Sequence, residues 1–358
     1  MTARRRSSAA DGGQRVTLKQ VAQALDLSPT TVSLVLNRSP AAASIPAETQ
    51  RRVFAAAEKL GYRPDFLAQS LRSRRSFSVG VLVSEISEGY ASGILSGVES
   101  GLQEAGYFYL VASHRSRREQ RDEYMQLLKD RLVEGFILIA TPLTAPPGLP
   151  SVAVAGHDSL EQVTNVVIDH DHAAILALSH LVDLGHERIA FFKGHANSSD
   201  TETRWQAILK AADSLGLEVR PELTLQLGGD AIEEHFSAEE RREEGYAFGR
   251  KLLDVGSPFS ALFAFNDVSA IGAMRAFLDA GLRMPDQISV VGFDDVHAAA
   301  FQNPSLTTVR QPLNEMGETA SRILLSHLAG ETPPADFVTV EPELVVRDST
   351  GPAPASTA

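Results

Sequence analysis

Residues 16–38 read VTLKQVAQALDLSPTTVSLVLNR, and their spacing decides the first part of the fold. Thr17 with Gln20 three residues on makes a capping box, in which each side chain satisfies the other's free backbone amide at a helix start. Leu18, Val21, Ala22 and Leu25 then share one face at helical period, which predicts a helix over Leu18–Leu25. Asp26 and Leu27 make the turn. Ser28 is a helix N-cap and Pro29 a first-turn residue, so Thr30–Leu36 forms a second helix with Val32, Val35 and Leu36 inward. A third helix starts near Pro46, carries Val53, Ala56, Ala57 and Leu60 on its apolar side, and ends before Gly61. Two helices joined by so tight a turn have helix-turn-helix geometry, in which the second helix keeps its outer face free. That face is Pro29, Thr30, Thr31, Ser33, Leu34, Asn37 and Arg38. A helical hairpin in an interaction domain has the same period, so the pattern alone leaves both readings open.

The remaining composition narrows the class. A chain of 358 residues, 43% hydrophobic and 22% charged, is long enough for two or three domains with a sizeable core. With no cysteine, a disulfide framework, a thiolate zinc site and a cysteine nucleophile are excluded, which fits a reducing compartment. Met1–Ala10 carries Arg4, Arg5 and Arg6 but no apolar run follows, so a signal peptide is not expected, and a cytoplasmic protein is. Net charge is −12, yet residues 1–75 hold 13 Lys and Arg against 5 acids, leaving 20 basic and 40 acidic residues beyond. A basic head on an acidic body points to double-stranded DNA as the partner of the head.

From Ser78 onward short β-branched runs alternate with helices: Val79–Val83, Phe108–Val111, Phe136–Ala140, Val152–Ala155, Val166–Ile168, Ile189–Phe192, Leu262–Phe265 and Ile288–Gly292. Alternation of this kind predicts an α/β fold with parallel sheets, and the span exceeds one core, so two lobes are expected. The predicted organisation is a disordered tail over 1–15, a helix-turn-helix domain over 16–62, a hinge over 63–77, a two-lobed domain over 78–347 and a disordered Gly/Pro/Ser/Thr/Ala-rich tail over 348–358.

The stretches Val16–Ala22, Ser28–Ser33, Val35–Asn37, Ala56–Pro64 and Leu67–Arg72 closely resemble the head and hinge of the lactose-repressor and purine-repressor family. Farther on, Leu184–Ile189, Asn266–Asp267, Ala280–Pro285, Val290–Asp295 and Leu306–Pro312 resemble landmarks of that family's effector domain, which is similar to periplasmic sugar-binding proteins. The resemblance covers about residues 16–347. It implies a homodimeric transcriptional repressor, not an enzyme, that binds an inverted-repeat operator and a small polar, sugar-like effector.

On that resemblance Pro29, Thr30 and Leu34 are the base-reading positions, with Thr31 and Ser33 as further candidates on the same face. Leu34 stands where the family usually has an Arg suited to guanine; an apolar side chain there suits a thymine methyl. Thr17, Lys19, Ser28, Asn37 and Arg38 are expected at the phosphate backbone. The segment 64–75 is too polar and short to hold a helix alone. The resemblance implies that it folds on the operator with Leu71 wedged in the minor groove, Ala68 in the approach and Arg72 near phosphates, the alternative being Leu71 packed on the effector domain.

For the effector the resemblance implies a site between the lobes at strand ends. Arg204 and Asp294 match its ligand-contacting Arg and Asp, or else form an ion pair between lobes. Asn266 is a polar contact or a helix cap, and Tyr90 and Trp205 stack on ligand or belong to the core. His157, with Asp158, Asp169 and Asp200, falls in a cleft loop, where Gly156-His157 replaces the family's common Asp-Arg. Asp169–His172 reads as a helix start rather than a metal site. No nucleophile elbow, P-loop or dinucleotide motif is present, so neither cofactor nor metal is expected. The competing reading is a solute-binding protein of a transport system, against which stand the basic head and the absent signal peptide.

Overall fold

The computed structural model describes residues 16–37, 39–62, 75–86, 89–228, 238–256, 258–331 and 335–354. The chain divides into two units, Met1–Ser76 and Phe77–Ala358.

In the first unit the capping box forms as read. Thr17 Oγ1 accepts the Gln20 amide at 3.3 Å while the Thr17 amide donates to Gln20 Oε1 at 2.7 Å, starting α1 (Leu18–Leu25). Ser28 Oγ accepts the Thr31 amide at 3.0 Å and starts α2 (Pro29–Leu36). A short 3-10 turn over Pro40–Ser44 leads to α3 (Ala47–Leu60), which closes on Gly61 at φ +67°, a left-handed conformation that suits a residue without Cβ. Val21, Ala22, Val32, Val35, Val53 and Ala57 form the core. Leu60 departs from the expected pattern: in the last turn of α3 it is 38% exposed.

The second unit begins with β1 (Ser78–Val83), α4 (Gly89–Glu104), β2 (Phe108–Ser113), α5 (Arg118–Asp130), β3 (Gly135–Ile139), β4 (Ser151–Val154) and β5 (Val163–Ile168). It continues through α6 (His170–Asp183), β6 (Ile189–Lys193), α7 (Asp200–Ser214), β7 (Thr224–Gln226), α8 (Ala238–Asp254), β8 (Ala261–Phe263), α9 (Asp267–Asp279) and β9 (Ser289–Asp294). It ends with α10 (His297–Ala300), β10 (Thr307–Arg310), α11 (Leu313–Leu328), β11 (Phe337–Val340) and β12 (Glu343–Val345).

Two six-stranded sheets result, ordered β11-β5-β4-β3-β1-β2 in the first lobe and β12-β10-β9-β8-β6-β7 in the second. Every pairing is parallel except β10 with β12. The chain crosses between lobes after β5, after β10 and after β11, so the carboxyl ends of the strands flank one cleft. The four strands that sequence did not predict are β7, β10, β11 and β12. Three of them are sheet edges, where mixed burial of three or four residues gives no clear alternation.

Helix pairs brace each lobe by backbone contact. A Cβ at Gly97 of α4 would stand 1.9 Å from the Asn314 carbonyl oxygen of α11, and one at Gly317 would stand 2.1 Å from that of Ile94. In the second lobe Gly245 of α8 and Gly272 of α9 meet the Ser269 and Arg242 carbonyls at 2.3 and 2.1 Å in the same sense.

The tail expected over 348–358 is ordered through its first part, which corrects the sequence reading. Ser349 is fully buried; its amide oxygen accepts from Val290 N at 2.9 Å and its Oγ accepts from Thr307 N at 2.8 Å. Ala353 N donates to Leu184 O at 2.8 Å. This segment belongs to the second lobe, and residues 355–358 lie outside the described part. Residues 1–15 and most of the predicted hinge, 63–74, also lie outside it. Among the described residues no helix is long and apolar enough to cross a membrane.

Candidate functional site

On the head, Thr17, Lys19, Ser28, Pro29, Thr30 and Asn37 are exposed, and Thr31, Ser33 and Leu34 are half-buried. Several polar groups already serve the local fold. Ser28 and Thr31 hydroxyls pair at 2.8 Å, and Asn37 Nδ2 donates to Ser33 Oγ at 3.1 Å. Pro29, Thr30 and Leu34 take no part in the head's core, so α2 presents them outward as the helical period requires. Arg38, Ala68, Leu71 and Arg72 fall outside the described residues.

In the body, a cleft partly open to solvent lies at the strand ends of both lobes. Of the expected effector residues it is lined by Tyr90, Arg204, Asn266 and Asp294, together with Asp200. Arg204, on the second turn of α7, is only 3% exposed. Its guanidinium donates to Phe265 O at 2.6 Å and to Asp200 Oδ2 at 3.1 Å, and packs on the rings of Phe293 and Phe265 at 3.7 and 4.4 Å from their centroids. Its Nε is buried without a partner.

Asp294 ends β9 with φ +111°, and Asp295 follows at +54°, two consecutive strained backbones for residues with a Cβ. Gln311 Nε2 donates to Asp294 Oδ1 at 2.7 Å. Burial pushes the Asp294 carboxyl up to about 7, with Arg204 and the Gln311 hydrogen bond opposing. Asp267, at the start of α9, is pushed up as well, by burial and then by the charge of Asp294. Asp200 goes the other way: despite burial, the hydrogen bond from His157, the neighbouring His170 ring and the charge of Arg204 hold its carboxyl well below the usual range. The alternative of an Arg204–Asp294 ion pair between lobes does not arise: both residues belong to the second lobe, and the ion-pair partner of Arg204 is Asp200, one turn earlier on the same helix.

Asn266 caps α9, its Oδ1 accepting Ser269 N at 2.9 Å, while its side chain also borders the cleft. The Tyr90 hydroxyl is buried without a partner, and burial, followed by the charges of Asp200 and Asp294, raises its pKa well above the ordinary phenol value. Trp205 does not line the cleft: it packs edge-on against Phe191 at 5.9 Å, with Lys193 Nζ 5.8 Å from its ring. The helical angle between Arg204 and its neighbour turns consecutive side chains apart. His157 also stands behind the lining, with Nε2 2.6 Å from Asp200 Oδ1. Asp169 caps α6 by accepting His172 N at 2.9 Å, the helix start that sequence indicated, and Asp158 is exposed.

Two lining residues carried no usable signal in sequence. Arg241 reaches the cleft from α8 with Nε buried and unpartnered, but the run Glu239–Glu244 reads as a solvated helix face. His195, in the loop after β6, lies 3.2 Å from Glu244 Oε2. With Arg204 and Arg241 as cations, Asp200 as an ionised acceptor and a raised Asp294 carboxyl, the cleft holds fixed donors and acceptors for a small polar molecule.

The family description "Bacterial regulatory proteins, lacI family" matches residues 17–65, and "Periplasmic binding protein-like domain" matches 178–350. The chain is similar to the HTH-type transcriptional repressor PurR of Pasteurella multocida, at 30% identity over 343 residues covering 93% of this chain and 98% of that protein. Against PurR of Haemophilus influenzae the identity is 29% over 345 residues, covering 93% and 98% of the two chains. Among solved structures, the Lac repressor dimer bound to operator and the anti-inducer ONPF aligns with TM-score 0.82 and 27% identity, over 94% of this chain and 100% of that one. The transcriptional regulator CelR in complex with cellobiose aligns with TM-score 0.66 and 28% identity over the same shares.

Proposed function

This chain belongs to the lacI family of bacterial regulatory proteins, and from that premise we propose that it is a cytoplasmic transcriptional repressor whose operator affinity is controlled by a small polar ligand, a sugar or related metabolite. The observation that carries the DNA half is α2: capped by Ser28, opened by Pro29, and presenting Thr30 and Leu34 away from its own core. In this reading the head over 16–62, followed by a hinge over 63–77, acts as a homodimer on an inverted repeat. Pro29, Thr30, Thr31, Ser33 and Leu34 face base edges, while Thr17, Lys19, Ser28, Asn37 and Arg38 hold the phosphates. From the hinge, Leu71 wedges into the minor groove with Ala68 in the approach, while Arg72 lies near phosphates.

The ligand half rests on unsatisfied polar groups converging in the cleft. Tyr90 OH, Arg204 Nε and Arg241 Nε are buried without hydrogen-bond partners, a costly state that a polar ligand relieves. Arg204, Asp294, Asn266 and Tyr90 contact the effector; His157 acts through Asp200. The function is binding rather than catalysis. Genome-wide footprinting of the purified full chain tests the DNA half: a recurring inverted repeat is expected, and salt-sensitive binding without sequence preference would overturn it.

A further inference from the structure

Three side chains from three separate connections meet beside the cleft. His157 comes from the loop after β4 in the first lobe, His170 opens α6 where the chain crosses to the second lobe, and Asp200 opens α7 in the second lobe. Their ligand atoms all lie within 4.8 Å of one another. His157 Nε2 stands 2.6 Å and His170 Nε2 3.5 Å from the same oxygen, Asp200 Oδ1. His170 has a side chain only 4% exposed, yet neither of its ring nitrogens has a hydrogen-bond partner. A buried imidazole left in that state lacks something that its neighbours do not supply.

The geometry fits a metal ion. Donors about 2.0–2.1 Å from a tetrahedral zinc stand roughly 3.3 Å from each other, and the two separations at Asp200 Oδ1 lie on either side of that value. Arg204 engages Oδ2 at 3.1 Å, so Oδ1 is left to face the imidazoles as a single-oxygen ligand with its orientation fixed from behind. Phe293 lies against the His170 ring, centroids 6.4 Å apart, and limits its rotation. We infer that His157, His170 and Asp200 bind a late first-row divalent cation of the zinc type, which pins the first lobe to the second next to the effector cleft. Two imidazoles and one carboxylate form a borderline donor set that suits zinc or cobalt and not magnesium or calcium.

The test is a Co2+ titration of the chelator-stripped full chain, read by visible d–d absorption, with Zn2+ as competitor. One Co2+ site per chain is expected, its band abolished by Zn2+. His157→Gln and His170→Gln should each weaken Co2+ binding at least about tenfold, since even losing a supporting partner of a metal ligand has that effect. His172→Gln, at an exposed pair with Glu341, should leave the band unchanged. Zn2+ should raise the melting temperature of the parent and not of His157→Gln, a variant that keeps an N–H for Asp200 and so remains informative if His170→Gln fails to fold. Absence of a stoichiometric band, or a band equal in the parent and His157→Gln, overturns the inference. The assay uses neither DNA nor effector, so its failure leaves the repressor reading intact.

Discussion

His157 of the first lobe and Asp200 of the second stand 2.6 Å apart, and Ser199 donates to Ala155 O at 2.5 Å immediately alongside. The residue that binds the lobes together is thus the one that holds Arg204 beneath the cleft. Under the proposed function, ligand contact at Arg204 and lobe geometry are joined at Asp200, which gives an effector a direct handle on the relation between the lobes.

Asp200→Asn removes the charge facing Arg204 while preserving shape. Breaking a buried ion pair from one side typically costs about 3–5 kcal/mol. Urea unfolding of the body should show a loss of that order, and effector titration should weaken with it. A midpoint equal to the parent's would mean that Arg204 is satisfied by Phe265 O and the two rings alone.

Asp294→Asn should stabilise the protein at alkaline pH. The native carboxyl titrates near 7 against an ordinary value of 3.8, so between those values the folded state binds more protons than the unfolded one. Stability supplied by the protonated form is complete below about pH 4 and is lost as pH rises toward 7, a span worth on the order of 4 kcal/mol at its limit. Asparagine, always neutral, escapes that loss. Denaturation at pH 5 and pH 8 should show the variant's advantage widening with pH; a constant difference would rule out this titration.

His114 gives the opposite slope. It is buried in the first lobe with Nε2 3.0 Å from Thr141 Oγ1, and burial, aided by Arg121, lowers its pKa to about 4. Below pH 6.5 the unfolded chain takes up a proton that the folded ring refuses until about pH 4, so stability falls as pH drops through that window. His114→Gln should flatten the acid limb by about 2–3 kcal/mol, checked by thermal melts between pH 7 and pH 4.

Gly317→Ala places a methyl group 2.1 Å from the Ile94 oxygen, so α4 and α11 must part. Overpacking of this kind costs about 1–3 kcal/mol, and more where backbone must move. Because α4 presents Tyr90 to the cleft, effector affinity should fall along with the melting temperature, although residue 317 is not in the lining. Unchanged affinity in a destabilised variant would uncouple the two.

Leu34→Arg should change what α2 reads. A guanidinium at that position can make a bidentate contact to guanine worth about 1–3 kcal/mol, so binding-site selection should recover a guanine that the parent does not prefer. Lys19→Ala, by contrast, should weaken binding to all sequences alike and reduce the salt slope by about one. An identical selected motif for Leu34→Arg and the parent would remove Leu34 from the reading face.

The sequence by itself determined the parts governed by neighbours three or four residues apart. The capping box of Thr17 and Gln20, the Ser28 cap, the Gly61 stop and the apolar period of α1 to α3 are local, and the buried parallel strands announce themselves as β-branched runs. Arg204 was legible as a candidate and does line the cleft, and its ion-pair partner lay within the same local rule, four residues earlier at Asp200. Only the tertiary structure decided the rest. His157, His170 and Asp200 meet because two lobes and a crossover bring three connections to one point, and Arg241 turns inward because Gly245 and Gly272 fix how α8 lies on α9. Residues 348–354 are held mainly by hydrogen bonds to β9, β10 and Leu184, so their Gly- and Pro-rich composition could not reveal their order. Such contacts depend on which distant segments are adjacent in space, and a one-dimensional period carries no record of that.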